Sequence, residues 1–203
     1  MDVVNIPLIR EVALKGKPII ISTGMSDLSD MELAMETVLR TNNDKIAFLH
    51  CVSSYPCPAA SANLGMIKKI RDTFDCIVGY SDHTTGIDVS IGAISLGASI
   101  IEKHFTVDRN MDGPDHNFSI TKREMTNLVS SSRRIKEAVI DHGFGILPSE
   151  INTAQNLRRS IFFKRDLKKD HIITNDDLEV KSPGIGIHPK FMDMIVGKKL
   201  LKD

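Results

Sequence analysis

The stretch Cys76-Ile-Val-Gly-Tyr-Ser-Asp-His-Thr84 joins a short apolar run directly to a group of polar residues. A run of this length, rich in β-branched and aromatic side chains, predicts a strand over residues 76–81. A strand that is apolar on both faces is typical of a parallel sheet covered by helices. Polar residues directly after such a strand lie where parallel α/β folds place their binding groups.

Three other segments of the first 143 residues repeat this pattern of a short apolar strand followed by a longer helical stretch. The chain is therefore predicted to be an α/β protein with four βα units on a parallel sheet. Two helix starts carry a capping box, Ser29 with Glu32 and Thr121 with Glu124. Glycines at 143 and 145 are expected to end the last helix. The predicted strands are residues 18–22, 46–52, 76–81 and 99–105, and the predicted helices are residues 29–40, 63–73, 86–96 and 121–142.

The composition changes after residue 145. A polar connector containing Pro148 follows, and the remainder has the pattern of short strands and turns. We predict an α/β domain over residues 1–145, a linker over 146–158 and a β-rich domain over 159–203. A part of about 45 residues is small for an independent core, so we expect it to lean on a partner surface or to be incomplete.

The charge balance argues against several classes of partner. The 203 residues include 26 Lys and Arg against 26 Asp and Glu, so no net field would attract nucleic acid or an anionic membrane. The apolar runs fall far short of the roughly 20 residues that a membrane helix needs. Three cysteines without a recognisable secretion signal give no reason to expect disulfides. We therefore expect a soluble, cytoplasmic protein with no nucleic-acid or membrane partner.

Unusual polar residues follow the predicted strands, and the carboxyl ends of parallel strands meet at one edge of a sheet. Side chains alternate along a strand, so Glu102 and His104 point the same way. Neighbouring strands lie under about 5 Å apart, which lets His83 and His104 reach one ion. Two imidazoles with substrate and water oxygens suit a divalent cation such as Mn²⁺. The strand-end residues are Ser22, Thr23, Gly24, His50, Ser53, Ser54, Tyr55, Ser81, Asp82, His83, Thr84, Glu102 and His104.

Each of these residues also has an ordinary structural explanation. A histidine at a strand end can be a hydrogen-bonded structural residue, and Ser22 and Ser81 can be turn residues, although hydroxyls at βα junctions are also the usual phosphate contacts. Cys51 is assigned to core packing. Residues 108–116 form either a solvated turn or a substrate-facing loop. Their position after the fourth strand favours the second reading, with Asp115 as a polar anchor.

Five blocks of sequence carry a resemblance to a known family. In order and spacing they resemble the sialic acid synthases, the N-acetylneuraminate synthase family. The tail adds to the likeness, because residues 159–163, 181–187 and 196–198 resemble parts of the family's antifreeze-like (SAF) domain. The five blocks are Lys17-Pro-Ile-Ile-Ile-Ser-Thr-Gly-Met25, His50-Cys-Val-Ser-Ser-Tyr-Pro56, Val78-Gly-Tyr-Ser-Asp-His-Thr84, Ile101-Glu-Lys-His-Phe-Thr106 and Gly113-Pro-Asp-His116.

The resemblance implies the second half of a TIM (β/α)8 barrel followed by an incomplete SAF domain. Members of the family condense phosphoenolpyruvate with an N-acetylated amino sugar such as N-acetylmannosamine, release phosphate, and use a divalent metal, usually Mn²⁺. The site residues that the resemblance implies are His83 and His104 for the metal, Ser22, Ser53 and Ser81 for phosphoenolpyruvate, and Tyr55, Glu102 and Asp115 as catalytic residues around the sugar.

Two departures from the family pattern shape the expected partners. A family barrel has eight strands, whereas four are predicted here, so lysines and acidic residues of the first half are absent. We expect either a homodimer that exchanges SAF domains or an N-terminal half chain as partner, and little turnover by the chain alone. The family commonly has an arginine, which touches the N-acetyl group of the sugar, where this chain has Ser182.

Three alternatives stay open from the sequence. The chain could belong to a legionaminate or pseudaminate synthase, because the residues that select the sugar lie partly in the missing half. It could also be a catalytically inactive, truncated or split chain that needs an N-terminal partner. A doubly wound nucleotide-binding domain also fits repeated βα units, but no strand is followed by a G-x-G-x-x-G or Walker-type loop.

Overall fold

The computed structural model describes residues 2–203, which divide into two compact units at Ile140 and Asp141. The first unit is built on a parallel sheet with the strand order β1-β2-β3-β4. Each strand is followed by a helix, so the predicted α/β class with four βα units is confirmed. The strands are β1 (Ile19–Ser22), β2 (Ile46–Cys51), β3 (Ile77–Asp82) and β4 (Ile100–Lys103), and the helices are α1 (Ile6–Ala13), α2 (Leu28–Leu39), α3 (Gly65–Phe74), α4 (Asp88–Ser95) and α5 (Lys122–Ala138).

Alternate strand residues face the helices and form the core of this unit. Each such residue that becomes fully buried contributes roughly 1.5–3 kcal/mol. Because side chains alternate along a strand, Cys51, Ser81 and Glu102 lie on the opposite, concave face. The register places Cys51 beside Ser81 and Ser81 beside Glu102 on successive strands. The core residues of the strands are Ile19, Ile21, Ile46, Phe48, Val78 and Tyr80, and those of the helices include Ala34, Val38, Ile67, Ile70 and Ala93.

A glycine in β3 lets the strands approach closely. A Cβ added at Gly79 would lie 2.6 Å from the carbonyl oxygen of Ile100 and 2.5 Å from Cδ2 of Leu49. Both distances are far shorter than ordinary van der Waals contact, so a side chain here would displace a neighbouring strand. The tight spacing of β2, β3 and β4 therefore depends on this residue.

The helix ends agree in part with the sequence-based predictions. The capping box of Thr121 and Glu124 is confirmed. The box predicted at Ser29 and Glu32 is wrong: α2 is capped by Asp27, whose carboxylate accepts from the N–H of Asp30 at 3.0 Å. Asp27 has the extended backbone of an N-cap, and the Ser29 hydroxyl only supports its carboxylate at 2.7 Å.

Two helices have limits that the sequence pattern did not indicate. Helix α5 ends at Ala138, several residues before the predicted end at the glycines, and Val139 is its C-cap. Helix α1 was not predicted. It is capped by Asn5 and has a proline in its first turn, where the missing N–H is not needed.

The second unit contains a two-stranded antiparallel sheet, in which Ser160 pairs with Lys181. A carboxylate organises the turn before its second strand. Asp177 is fully buried and accepts hydrogen bonds from Arg165 at 2.7 Å, from Nε2 of His171 at 2.8 Å and from Thr174. These donors hold the pKa of Asp177 well below its usual value, with the His171 contact the largest cause. The elements are α6 (Ile151–Leu157), β5 (Ser160–Phe163), β6 (Leu178–Lys181) and α7 (Met192–Ile195).

Within residues 2–203, each helix is too short or too polar to cross a lipid bilayer.

Candidate active site

Four rings lie together where the strands of the first unit end, and we call them the aromatic cluster: Tyr55, His83, His104 and Phe118. Tyr55 follows β2, His83 directly follows β3, and His104 directly follows β4. The ring centroids of His83 and His104 are 5.3 Å apart, those of Tyr55 and His83 are 4.2 Å apart, and those of His104 and Phe118 are 5.2 Å apart. The two histidines that the sequence analysis paired are therefore neighbours.

His83 is held by hydrogen bonds at both its ring and its backbone. Its Nδ1 lies 2.9 Å from the carbonyl oxygen of Val52, and its own carbonyl accepts from the N–H of Cys57 at 2.8 Å. A carbonyl only accepts, so Nδ1 carries the proton in this contact. The lone pair is then on Nε2, and metal-binding imidazoles are commonly oriented in this way by a backbone carbonyl or a carboxylate that accepts from the other ring nitrogen.

His104 contacts a carboxylate from the loop between β4 and α5. Its Nδ1 lies 3.5 Å from Oδ2 of Asp115. A carboxylate beside Nδ1 favours the proton on that nitrogen, which again leaves Nε2 with the lone pair. The two predicted site residues, one from a strand end and one from the loop, are thus brought together.

We call residues 106–120 the site loop, because they carry Asp115 and Phe118. The two ends of the loop are tied to each other, because the N–H of Thr106 donates to the carbonyl of Ile120 at 2.9 Å. The loop is also tied to the residue that follows β4, because the N–H of Ile120 donates to the carbonyl of His104 at 2.9 Å. Inside the loop, Oγ1 of Thr106 lies 2.8 Å from Nδ1 of His116. The loop is therefore a folded element with a set position over the strand ends.

A salt bridge anchors the site loop to α5. Nη2 of Arg109 contacts both carboxylate oxygens of Glu124 at 2.8 and 2.7 Å, and its Nε donates to the carbonyl of Ser119 at 2.9 Å. Glu124 also accepts from the N–H of Thr121 at 2.8 Å. These donors lower the pKa of Glu124 to about 2, with the backbone bond from Thr121 the largest cause.

A serine and a carboxylate meet on the concave face beside the cluster. The hydroxyl of Ser81 donates to Oε1 of Glu102 at 2.7 Å, and the two residues are register partners on β3 and β4. Ser81 is buried, whereas Glu102 is exposed. The pair can therefore offer a carboxylate oriented by a neighbouring hydroxyl to a ligand on this face.

Cys51 lies closer to the cluster than the sequence analysis indicated. Its Sγ is 3.9 Å from Nδ1 of His83 and 3.9 Å from Oγ of Ser53. Cys51 is buried, but it lies on the concave face beside Ser81 and not on the core face that His50 shares with Phe48. Ser53 packs against Gly24, where a Cβ would collide with its hydroxyl.

His50 and Ser22 are among the strand-end residues that lie outside the cluster. Nε2 of His50 contacts the carbonyl of Ala62 at 2.9 Å, and its ring stacks on Tyr80 on the helix-facing side. Burial lowers the pKa of His50, so it stays neutral. Its expected place on the site rim is wrong, because residue 50 faces the helices. Ser22 ends β1 beside Leu49 of β2, two strands away from His83.

Two carboxylates, Asp115 and Glu102, lie near Tyr55 and make the electrostatic potential at the cluster more negative. Burial is the largest cause that raises the pKa of Tyr55, and Cys51, Asp115 and Glu102 raise it further. The phenol therefore stays protonated at neutral pH and can donate a hydrogen bond. Nearby carboxylates also favour a bound cation.

The residues present fit a divalent cation with open coordination positions. Among residues 2–203, no group of three or more His, Cys, Asp and Glu side chains is arranged as a complete metal site. His83 and His104 would supply two imidazole nitrogens, and the remaining positions would go to water and substrate oxygens, as Mn²⁺ accepts. The hydroxyl of Thr84, next to His83, is buried without a partner among the described residues, which is unusual away from a binding site.

Sequence reasoning missed three contributors to the site. Phe118 carried no local signal, because its contact with His104 depends on the path of the site loop. Arg109 was visible only as part of an unusual polar loop. Glu124 was identified as a helix cap, but its second role as partner of Arg109 joins residues that are 15 positions apart.

Comparison with known proteins places the first unit in a family. A model of the NeuB family matches residues 1–143, more than two thirds of the chain. The chain belongs to the NeuB family. A model of the SAF domain matches residues 158–203. Both matches confirm the resemblance to the sialic acid synthases.

The curated relatives of this NeuB-family chain are longer than the chain itself. N,N'-diacetyllegionaminic acid synthase of Campylobacter jejuni is 37% identical over 204 residues, which cover 100% of this chain and 61% of the relative. Human N-acetylneuraminate-9-phosphate synthase is 34% identical over 202 residues, which cover 98% of this chain and 56% of the relative. The chain thus spans about 60% of the length of the curated relatives it matches.

A solved structure confirms the fold. N-acetylneuraminic acid synthetase from Leptospira borgpetersenii superposes with a TM-score of 0.70 and 35% sequence identity over 75% of this chain and 53% of that chain. The four parallel strands correspond to half of a barrel. The prediction of an α/β half-barrel followed by a SAF domain is therefore confirmed.

Proposed function

We propose that this NeuB-family chain takes part in the condensation of phosphoenolpyruvate with an N-acetylated amino sugar, which yields a sialic-acid-type nonulosonate and phosphate. The observation that carries the proposal is the meeting of His83, His104, Tyr55 and Asp115 at the strand ends, beside the Ser81–Glu102 pair. The names of the relatives support the class of product, because they are synthases of legionaminic acid and of N-acetylneuraminate 9-phosphate.

In the proposed reaction, carbon 3 of phosphoenolpyruvate bonds to the aldehyde carbon of the open-chain sugar. Water adds at carbon 2, phosphate leaves, and the aldehyde oxygen gains a proton. A divalent ion, with Mn²⁺ expected, would be held by His83 and His104 and would polarise the aldehyde oxygen when bound. Catalysis of this kind depends on positioning and electrostatics, and no side-chain nucleophile is required.

The chain's own residues have separate tasks in this proposal. Tyr55, protonated at neutral pH, donates a hydrogen bond to the sugar. Asp115 orients the His104 ring through Nδ1. Glu102, oriented by Ser81, faces the reacting atoms. Ser53, together with Ser81, is assigned to phosphoenolpyruvate.

Ser22 is also assigned to phosphoenolpyruvate, by the family resemblance alone. Its place at the end of β1 is compatible with a ligand that reaches across β2. The proposal assigns no sugar contact to Ser182, which stands where the family commonly has an arginine that touches the N-acetyl group.

The partner and the compartment are parts of the same proposal. The partner expected from the family resemblance is either a second copy of the chain, with exchanged SAF domains, or an N-terminal half chain. The cytoplasm stays the proposed compartment, because Cys51, Cys57 and Cys76 are free thiols, as a reducing compartment favours.

The test is phosphate release from phosphoenolpyruvate in the presence of Mn²⁺. The chain would be assayed with N-acetylmannosamine and with a diacetamido sugar, first alone and then co-expressed with the amino-terminal barrel half of the Campylobacter relative. We expect little release by the chain alone and clear release with the partner. The sugar that gives the higher rate separates the sialic acid and legionaminic acid alternatives.

Matched variants link the activity to the site. His83→Gln and His104→Gln should abolish phosphate release, whereas His142→Gln, at an exposed histidine, should leave it unchanged. Release that is unchanged in the first two variants would contradict the site assignment. A folded complex that releases no phosphate with either sugar would instead favour the inactive-chain alternative.

A further inference from the structure

A buried ion pair lies directly behind the two histidines. Nζ of Lys103 is 2.9 Å from Oδ2 of Asp82, and the two side chains are 2% and 0% exposed. The residues are register partners on β4 and β3. They face the helices, because the hydroxyl of Ser90 on α4 also donates to Asp82. The pair thus joins the last residues of β3 and β4, the two strands that are followed directly by the candidate ligands His83 and His104.

The pair also holds the residue that follows His83. Oδ1 of Asp82 accepts from the N–H of Thr84 at 2.8 Å, and Nζ of Lys103 donates to the carbonyl of Thr84 at 2.7 Å. His83 therefore sits between two residues that are both tied to Lys103. His104 is the residue immediately after Lys103, so one group of bonds constrains the backbone of both histidines.

A buried ion pair is a poor source of net stability. The desolvation of two charges offsets most of their attraction, and replacement of both partners by neutral side chains is often close to neutral for stability. Removal of one partner is costly, because the other charge is left buried. A gain in stability therefore does not account for the Asp82–Lys103 pair. Control of the backbone positions of His83 and His104 does account for it.

We propose that the Asp82–Lys103 pair is a positioning device that sets the spacing of His83 and His104 for a single divalent cation. The proposal rests on the proposed function, since it assumes that the two imidazoles bind one ion. The pair lies on the opposite side of the sheet from the ligands and would not touch the ion. Its effect passes through the backbone of β3, β4 and the turn at Thr84.

The experiment is a Mn²⁺ titration of the full chain by calorimetry, with the thermal unfolding temperature of every variant measured in parallel. Lys103→Met removes one partner and should lower both stability and affinity. The double variant Asp82→Asn with Lys103→Met removes both charges, so its stability should recover toward that of the wild type. Its Mn²⁺ affinity should stay about tenfold weaker, which is the size of loss that follows when groups that orient metal ligands are changed.

A matched pair on the surface serves as the control. Lys68 and Asp72 form an exposed ion pair with a 2.6 Å contact on α3. The double variant Asp72→Asn with Lys68→Met should leave the Mn²⁺ affinity unchanged. Ser90→Ala gives a mild third variant, because it removes one donor to Asp82 and leaves the pair in place. We expect a two- to fivefold weaker affinity from it, of order 1 kcal/mol or less by the conversion of fold-change to free energy.

The outcomes separate the two proposals. If the wild type binds Mn²⁺ and the Asp82–Lys103 double variant binds it equally well, the positioning role is refuted while the metal site stands. If affinity recovers in step with stability across the variants, the pair is only structural, and the role is again refuted. If the wild type does not bind Mn²⁺, the metal site itself fails and the positioning role fails with it.

Discussion

The contact between Arg109 and Glu124 should control how firmly the site loop is held over the candidate active site. Glu124→Gln keeps the volume of the side chain and removes its charge. The variant weakens the contacts with Arg109 and with the N-cap residue Thr121 together. Residues 106–120 should then become less protected, and Asp115 should be held less firmly beside His104.

The magnitude follows from the pKa of Glu124, which lies at about 2 instead of the ordinary 4.5. Each pKa unit corresponds to about 1.4 kcal/mol, so this shift would give about 3–4 kcal/mol if it were converted completely into free energy of folding. The side chain of Arg109 is 40% exposed, and solvent screening reduces the value of its ion pair. An exposed pair contributes roughly 0.2–1 kcal/mol and a helix cap about 1 kcal/mol, so we expect Glu124→Gln to cost about 1–2 kcal/mol at neutral pH.

The sign of the pH dependence follows from the lowered pKa. A carboxylate whose pKa is lower in the folded state stabilises the protein above its unfolded-state pKa. The stabilisation by Glu124 is therefore fully present above about pH 5 and is lost as the pH falls toward about 2. The wild type and Glu124→Gln should differ at neutral pH and converge at acidic pH.

The assay is urea unfolding of the full chain followed by circular dichroism, together with hydrogen exchange of the amides of Thr106 and Ile120. Glu137→Gln, at an exposed position on the same helix, is the control. A Glu124→Gln variant within about 0.5 kcal/mol of the wild type at neutral pH would refute the argument, since that is the usual range for surface substitutions. A difference that stays constant down to acidic pH would refute it as well.

Three further predictions follow from the packing and the hydrogen bonds. Gly79→Ala should destabilise the first unit by about 1–3 kcal/mol in urea unfolding, because the new Cβ would lie 2.6 Å from a carbonyl oxygen of the next strand. The control is Gly65→Ala, whose Cβ meets open space and which should be neutral. Asp177→Asn should lower the thermal unfolding temperature of the second unit at neutral pH. The difference from the wild type should shrink below about pH 4, because the pKa of Asp177 is lowered in the folded state. Asp176→Asn, at the exposed neighbour, should have little effect. His50→Gln should leave Mn²⁺ affinity unchanged in calorimetry, because His50 faces the helices.

The helix starts show where local sequence suffices and where it does not. The box of Thr121 and Glu124 was predicted correctly because a single hydroxyl precedes a single carboxylate at the right spacing. Near Ser29, two candidate caps overlap within a few residues, and only the backbone conformation selects Asp27. Local pattern therefore identifies a helix start, but the exact cap depends on how the chain enters the helix.

The site shows the same division. The proximity of His83 and His104 was predictable, because consecutive parallel strands are neighbours and their carboxyl ends meet at one edge. The contacts of Phe118 and Arg109 were not, because they depend on the path of a loop that carries no periodic signal. The proximity of Cys51 to His83 needed the knowledge that the concave face is the site face.

The sequence by itself determined the four βα units, the family and the pair of strand-end histidines, because these follow from short-range patterns: apolar strand runs, helix periodicity and ordered motifs. Only the tertiary structure decided which face of each strand joins the site and how the loop of residues 106–120 is anchored. It alone revealed that Asp82 and Lys103 meet behind the histidines. The physical reason is that these features depend on the register between strands and on contacts between distant residues, which packing selects and no local pattern encodes.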